Sequence, residues 1–199
     1  MGMDVYGKNP KQNKTREEFP VFDKFKKMEE ADNFKQKWKE LEDKKLSEQY
    51  FNEMEAYENS NPGYYFRNNC WWWRPLWNYC YTIADDIITE EVFNSGHNNS
   101  GAGLNDKDAK LLGNRLMEHI ADGRTIEYQA EYEQYLNDMP DDDCIACKGN
   151  NRGNRKMKDC KSCNGTGKGT NFNKNYPFDV ENVEEFALFC IESGGFEIC

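Results

Sequence analysis

The pattern of apolar and polar positions predicts helices over most of the chain, with a short strand near each end. The strand candidates are Met3 to Tyr6, which ends at Gly7, and Phe196 to Cys199. Residues 17–58 are rich in charge and have apolar positions at helical spacing. They indicate an amphipathic helical hairpin packed on the body, with a partner-binding arm as the alternative. The apolar stripe expected along this segment is Phe34, Trp38, Leu41, Leu46, Tyr50, Met54 and Tyr57.

Capping signals predict four helices in the second part of the chain. Pro75 suits the first turn of one helix, and Asn105 and Asp179 suit the N-cap positions of two others. The fourth helix is predicted from Thr125 to about residue 138. Core-facing positions are expected on the helices signalled by Pro75, Asn105 and Asp179. They are Leu76, Tyr79, Cys80, Ile83, Ile87, Leu112, Leu116, Ile120, Val183, Phe186, Ala187 and Cys190.

The composition allows a folded core although the chain as a whole is polar. Hydrophobic residues make up 37% of the chain, but 14% of all residues are aromatic, and each aromatic side chain buries a large area. The net charge of −10 excludes nonspecific coating of DNA or anionic lipid. We find no secretory signal, lipidation motif or apolar run of membrane-spanning length, so the expected location is the cytoplasm, that of the host cell if a phage encodes the protein.

Four cysteines form a metal-binding motif, Cys144-x2-Cys147-x12-Cys160-x2-Cys163. Two CxxC pairs supply the four soft ligands that tetrahedral Zn²⁺ prefers. A glycine stands two positions after each pair and permits a tight turn that directs backbone N–H groups at the sulfurs. The prediction is one structural zinc ion without an open coordination position. The alternatives are two disulfides or free thiols.

The segment around these cysteines is basic, whereas the rest of the chain is acidic. Seven basic residues against Asp159 alone give residues 144–170 a formal charge of +6. Four of these basic residues are candidates for contact with a partner, namely Arg152, Arg155, Lys156 and Lys158. Docking of the lobe on its own acidic body is the alternative.

Two resemblances accompany these patterns. The segments CIACKG (144–149) and CKSCNGTG (160–167) resemble the CxxCxGxG repeats of DnaJ-type co-chaperones, which implies a zinc knuckle pair. No His-Pro-Asp tripeptide matches a J domain, so the resemblance does not extend to chaperone function. A set of uncharacterised phage and prophage proteins looks similar to this chain in the opening MGMDVYGK, the stretch YFRNN with Trp71 and WRPL, the loop GAGL, the segment NYPFDVENVEEF (175–186) and the ending SGGFEIC. Residues 11–60 depart from that set. The resemblance implies a phage origin and no particular mechanism.

Outside the cysteines, candidate chemistry is limited. Arg67 and Arg74 are candidates for phosphate contacts, with Trp71 or Trp73 stacking on a base. The alternative is that the tryptophans belong to the core. His97, in the Gly/Asn/Ser loop 94–103, is the one acid/base candidate, with a solvated loop histidine as the alternative. Residues 85–86 and 141–143 are aspartates, expected in solvated turns rather than as metal ligands.

These observations together predict an α+β fold, with a mostly helical body, short strands and an inserted four-cysteine zinc-knuckle lobe. The body comprises residues 1–140 and 171–199, including a helical, charge-rich insertion over 11–60, and the lobe comprises 141–170. The favoured function is a non-enzymatic, phage-type accessory protein that binds a host macromolecule, most readily a protein, in host takeover or counter-defence. The alternatives are a nucleotide-binding or nucleotide-cleaving protein and a nucleic-acid-binding module that uses the basic lobe.

Overall fold

The computed structural model describes residues 2–149 and 157–199. Within these ranges the chain forms eight α-helices and six β-strands. In chain order the elements are β1 (Gly2–Gly7), α1 (Pro20–Glu30), α2 (Phe34–Glu40), α3 (Lys44–Ser60), β2 (Tyr65–Asn69), α4 (Cys70–Ile83), α5 (Glu90–Ser95), β3 (Ala102–Asn105), α6 (Asp106–Ala121), α7 (Arg124–Asp138), β4 (Asp142–Asp143), β5 (Lys168–Gly169), α8 (Val180–Glu192) and β6 (Gly195–Ile198).

Four strands from distant parts of the chain form one antiparallel sheet in the order β2-β1-β6-β3. Met3 lies opposite Asn68, and Val5 lies opposite Phe66 on one side and Ile198 on the other. These five residues are buried, whereas the residues between them in each strand are partly or fully exposed. Since only one face of the sheet is apolar, helices cover that face and the other meets solvent.

Helices α4, α6 and α8 cover the apolar face. Helices α6 and α8 approach closely at Gly113, where a β-carbon would lie 2.7 Å from the carbonyl oxygen of Ala187. The rings of Trp73 and Trp77 stack at 5.4 Å, and Phe186 packs edge-on against Trp73 at 5.5 Å. The core therefore consists largely of aromatic rings, as the composition predicts.

Side-chain caps set several helix boundaries. Asn105 accepts a hydrogen bond from the N–H of Asp108 at 3.0 Å, and Asp179 accepts one from the N–H of Glu181 at 3.0 Å. Both caps were predicted from the sequence and are confirmed. Each satisfies an N–H group that has no partner inside its own helix.

The helices of residues 11–60 build a second, smaller aromatic cluster. Phe22 and Phe25 of α1 pack against Tyr50 and Tyr57 of α3, so these two helices form the predicted hairpin. The rings of Phe25 and Tyr50 meet edge-on at 5.2 Å. Lys37 of α2 is buried beside them and donates a hydrogen bond to Oη of Tyr50 at 2.8 Å.

The prediction that Phe34 and Trp38 face the core with the rest of the stripe is wrong. Phe34 is 46% exposed and Trp38 is 61% exposed. The helix ends at Glu40, and Asp43 caps a new helix by accepting a hydrogen bond from the N–H of Leu46. This break changes the direction of the chain, so the spacing that relates positions on one continuous helix does not cross it.

The sequence pattern also misplaced one helix start and missed helix α5 and the four strands β2 to β5. Helix α4 begins at Cys70, where the side chain of Asn69 caps it, and Pro75 lies inside the helix rather than in its first turn. Strands β2 and β3 are absent from the sequence-based expectation because neither has an apolar alternation of its own. Both become strands through pairing with β1 and β6.

The fold class is the predicted one, an α+β body with short antiparallel strands and a cysteine lobe. Strands β4 and β5 stand outside the main sheet and pair with each other at the base of that lobe. Over the described ranges, none of the helices combines the length and the apolar character needed to cross a membrane.

Candidate metal centre

A two-stranded clamp brings the ends of the cysteine lobe together. Strands β4 and β5 pair in antiparallel register, with Asp143 opposite Lys168. Directly after β4, the N–H of Cys144 donates to the carbonyl oxygen of Gly167 at 2.9 Å. Because each CxxC pair begins or ends beside this clamp, the two pairs face each other.

The four sulfurs form a compact, buried group. The Sγ atoms of Cys144 and Cys160 lie 3.8 Å apart, as do those of Cys147 and Cys163. All four lie within 4.8 Å of one another. Four sulfurs placed tetrahedrally at the usual Zn–S distance of about 2.3 Å are about 3.8 Å apart. The donor set therefore fits a tetrahedral metal ion, and these separations exclude disulfide bonds within the group.

Each cysteine pair is followed by a tight turn of the same form. Lys148 and Gly149 have φ values of 58° and 64°, and Asn164 and Gly165 have φ values of 49° and 79°. Glycine adopts this left-handed conformation without steric cost. The N–H of Gly167 then donates to Sγ of Cys163 at 3.3 Å. The turns thus direct backbone N–H groups toward sulfur, as the spacing of the glycines predicts.

The environment of Cys163 favours the thiolate that a metal ligand must be. Burial acts to raise the pKa of this thiol. The N–H of Gly167 and the neighbouring thiols outweigh burial and lower the pKa of Cys163, whereas burial raises the pKa of its neighbour Cys147. Hydrogen bonds to the charged sulfur stabilise it relative to the neutral thiol.

The aspartates at the start of the lobe make structural contacts. Asp142 accepts hydrogen bonds from the N–H of Phe172 at 3.0 Å and from the side-chain amide of Asn171 at 3.3 Å. Asp143 forms an ion pair with Lys168 at 2.8 Å. In the part of the chain that the structure describes, the one group arranged to hold a metal consists of the four cysteines.

The surface of the lobe combines exposed lysines with one exposed aliphatic side chain. Ile145, between the first two cysteines, is 83% exposed. Lys148, Lys158 and Lys161 are also exposed. The remaining basic candidates, Arg152, Arg155 and Lys156, lie outside the described residues.

The structure separates the two arginines of the proposed phosphate clamp. Arg67 is exposed on β2, with its Nε atom 3.8 Å from Oδ1 of Asp4, and it lines a cleft beside α1 and α3. Arg74 on α4 lines a different cleft of about 380 Å³ and donates to Oη of Tyr176 at 2.6 Å.

The tryptophans have two different environments. Trp73 is fully buried and its indole N–H donates to the carbonyl oxygen of Gly96 at 2.7 Å. Trp71 is partly buried, and its ring lies 4.8 Å from that of Tyr176 and 5.2 Å from that of Phe172. Trp71 therefore belongs to the aromatic group beside Arg74, whereas Trp73 belongs to the core.

The two histidines also differ in setting. The ring of His97 packs edge-on against Phe93 at 4.9 Å, and burial, followed by the charge of Arg74, lowers its pKa. His119 joins a polar chain in which its Nδ1 lies 3.2 Å from Oη of Tyr79 and its Nε2 lies 2.6 Å from Nη1 of Arg124. This chain connects α4, α6 and α7.

Two features of the site lay beyond sequence reasoning. The contact of Arg74 with Tyr176 joins residues 102 positions apart, and no local pattern signals such a pairing. The sequence shows that Ile145 lies between two ligands, but its exposure depends on the three-dimensional conformation of the cysteine pair.

Comparisons with protein-family models, curated proteins and solved structures give no match to this chain.

Proposed function

We propose that this chain is a zinc-stabilised, non-enzymatic protein that binds a host macromolecule through the surface of its cysteine lobe. The observation that carries the proposal is the closed group of four buried sulfurs beneath an exposed, lysine-rich surface that includes Ile145. Four thiolate ligands fill a tetrahedral site and leave no position for a reacting water. The metal would therefore serve to hold the lobe in shape.

Charge favours an acidic surface as the partner of the lobe. The chain as a whole carries −10, yet residues 144–170 carry a formal +6 with neutral cysteines and about +4 once four thiolates hold one Zn²⁺. Long-range attraction steers such a lobe to a negative surface and keeps the acidic body away from it. The exposed Ile145 adds an apolar contact, which favours a protein over a nucleic acid. The resemblance to phage and prophage proteins makes a host-cell protein the proposed partner, and host takeover or counter-defence the proposed setting.

Capture from host lysate with matched variants tests this proposal. The lobe variant replaces Arg152, Arg155, Lys156 and Lys158 with Ser. The control variant removes the same four charges from exposed lysines of the insertion, namely Lys35, Lys39, Lys44 and Lys45. We expect both to keep zinc, and only the lobe variant to lose the captured protein. Capture should also weaken as salt rises from about 50 to 500 mM.

Three results would contradict the proposal. If capture survives in the lobe variant while its melting temperature falls, the lobe docks on its own body. If nuclease treatment of the lysate abolishes capture, the partner is a nucleic acid. If the control variant loses capture equally, net charge rather than the lobe surface is responsible.

The cleft beside Arg74 supports a second candidate function, nucleotide binding. This cleft of about 380 Å³ is lined by Tyr132, Tyr135 and Tyr176 as well as Arg74. An arginine beside aromatic rings suits a phosphate and a stacked base. Native mass spectrometry of the purified protein would reveal a retained nucleotide, and titration with fluorescent adenine and guanine nucleotides would detect exchangeable binding. Arg74→Gln should abolish either signal, and Arg67→Gln should leave it unchanged.

A further inference from the structure

Strand β2 is an edge strand, and its pairing with β1 determines which backbone groups face outward. The N–H of Gly7 donates to the carbonyl oxygen of Tyr64 at 3.1 Å. In an antiparallel ladder, hydrogen-bonded and non-hydrogen-bonded pairs alternate. The registered pairs of Phe66 and Asn68 with β1 are therefore hydrogen-bonded. Tyr65 and Arg67 occupy the alternate pairs, so their N–H and C=O groups point away from β1.

The pairing on the other side of β1 agrees with this assignment. The N–H of Asp4 donates to the carbonyl oxygen of Cys199, and the N–H of Cys199 donates to that of Asp4. Asp4 therefore directs its backbone toward β6, as the alternation requires. Within residues 2–149 and 157–199, the backbone N–H groups of Tyr65 and Arg67 have no hydrogen-bond partner.

This free edge lines a cleft of about 610 Å³ between the insertion and the body. Tyr65, Phe66 and Arg67 contribute from β2, α1 and α3 form one wall, and α8 contributes Glu185 and Leu188. Met54 and Leu188 supply apolar surface beside the edge. A strand edge that is walled on two sides accepts an extended segment more readily than a folded surface.

The charges of the cleft indicate what kind of segment fits. Glu29 already pairs with Lys26 at 3.1 Å and with Lys37. Glu58 on α3 and Glu185 on α8 form no ion pair within the described residues, although the charges of Lys26 and Arg67, which also line the cleft, act to lower the pKa of Glu58. Burial outweighs these charges and raises the pKa of Glu58, which shows that this carboxylate is partly removed from water. A basic side chain placed beside Glu58 would offset that cost, and one placed beside Glu185 would pair with an exposed carboxylate.

We propose that β2 binds an extended, lysine- or arginine-bearing peptide segment of a partner protein as a fifth strand of the sheet. The peptide backbone pairs with Tyr65 and Arg67, and its basic side chains lie against Glu58 and Glu185. A second copy of the chain is disfavoured as the occupant, because its own β2 is walled by the same helices. Two such clefts cannot bring their edges to the strand spacing of about 4.8 Å.

Synthetic peptides test the proposal directly. The first probe is a nine-residue peptide that alternates threonine and valine and carries two lysines on one face. The second has glutamate in place of lysine, and the third keeps the lysines but is N-methylated at alternate backbone nitrogens. We expect fluorescence anisotropy to detect the first peptide, with at least a tenfold loss of affinity for each of the others. Hydrogen exchange should show fast exchange at the Tyr65 and Arg67 amides of the free protein, and slowed exchange in the complex.

Protein variants test the edge of β2 and the walls of the cleft separately. Arg67→Pro removes an outward N–H and leaves the pairing with β1 in place, so peptide binding should be lost. If that variant fails to fold, the double variant Glu58→Lys/Glu185→Lys gives the same test through the walls. Its control is Glu55→Lys/Glu184→Lys, which makes the same charge change at exposed positions outside the cleft.

The proposal is overturned if N-methylation does not weaken binding, if the control variant loses as much affinity as the cleft variant, or if no lysine peptide binds at millimolar concentration. Concentration-dependent protection of the Tyr65 and Arg67 amides without peptide would overturn it in favour of self-association. None of the described residues of the cysteine lobe lines this cleft. Variants of the lobe should therefore bind the peptide normally, so the edge and the lobe surface can fail independently.

Discussion

The Sγ atoms of Cys144 and Cys160 lie 3.8 Å apart although the two residues are sixteen positions apart in the chain. This separation is too long for a disulfide bond, and all four cysteines, including Cys147 and Cys163, are buried. Thiols that crowd together in this way are stabilised when a cation neutralises the thiolates. The first prediction follows from this arrangement.

The protein should bind one zinc ion per chain, and Cys147→Ser should release it. Loss of a ligand removes the folding free energy that metal binding supplies to the lobe. Elemental analysis of protein purified under reducing conditions measures the metal, and proteolysis within residues 141–170 reports the unfolding. Cys199→Ser, at an exposed cysteine outside the group, is the control and should keep zinc. Wild-type protein without zinc would contradict the prediction.

All eight cysteines should react as thiols once the protein is denatured and the metal removed. The structure contains eight free cysteines, of which Cys80 and Cys190 are fully buried in the core. Cysteine in such settings acts as a small hydrophobic residue. Thiol counting in denaturant with a chelator measures the number, and a count of four or fewer would refute the prediction.

Stability should fall as pH decreases from about 6.5 toward 5. Burial and the charge of Arg124 lower the pKa of His119. Its ordinary value is about 6.5, so the unfolded chain takes up the proton first as pH falls. The free energy of unfolding is then highest above pH 6.5 and decreases as pH falls through the folded-state pKa. Urea midpoints at pH 8, 6.5 and 5.5 measure the change.

His119→Gln is the matched variant for this pH dependence. It removes the titrating group from the chain that joins Tyr79 to Arg124 and should flatten the curve in that range. His97, whose pKa is lowered by burial and by Arg74, should account for the remaining slope. An unchanged slope in the variant with both histidines replaced by Gln would show that other groups cause it.

Replacing Lys37 should destabilise the insertion. Its side chain is 3% exposed, pairs with Glu29 and donates to Tyr50 at 2.8 Å. Lys37→Ala should cost about 1–3 kcal/mol because it leaves the buried Tyr50 hydroxyl without its partner and Glu29 with Lys26 alone. Lys35→Ala, on the exposed side of the same helix, should stay within about 0.5 kcal/mol of wild type. Denaturant unfolding compares the two, and equal losses would contradict the prediction.

The helix caps and the cysteine site were predictable because their causes are local. Asn105 and Asp179 hydrogen-bond N–H groups two or three positions away. The knuckle turns depend on glycines two positions after each cysteine pair. Interactions of this range are present in the sequence spacing itself, and the same applies to the stripe of α8, whose residues Val183 and Phe186 are buried as predicted.

The sequence by itself determined the α+β character, the four metal-compatible cysteines, the starts of α6 and α8 and both ends of α7, since each depends on neighbours within a turn or two. Only the tertiary structure decided that Tyr65 to Asn69 form a strand, because pairing with β1, about sixty positions earlier, supplies hydrogen bonds that the segment cannot make alone. It likewise decided that Trp71 packs on Tyr176 while Trp73 enters the core. Neighbouring tryptophans have the same local pattern, and the packing of distant elements distinguishes them.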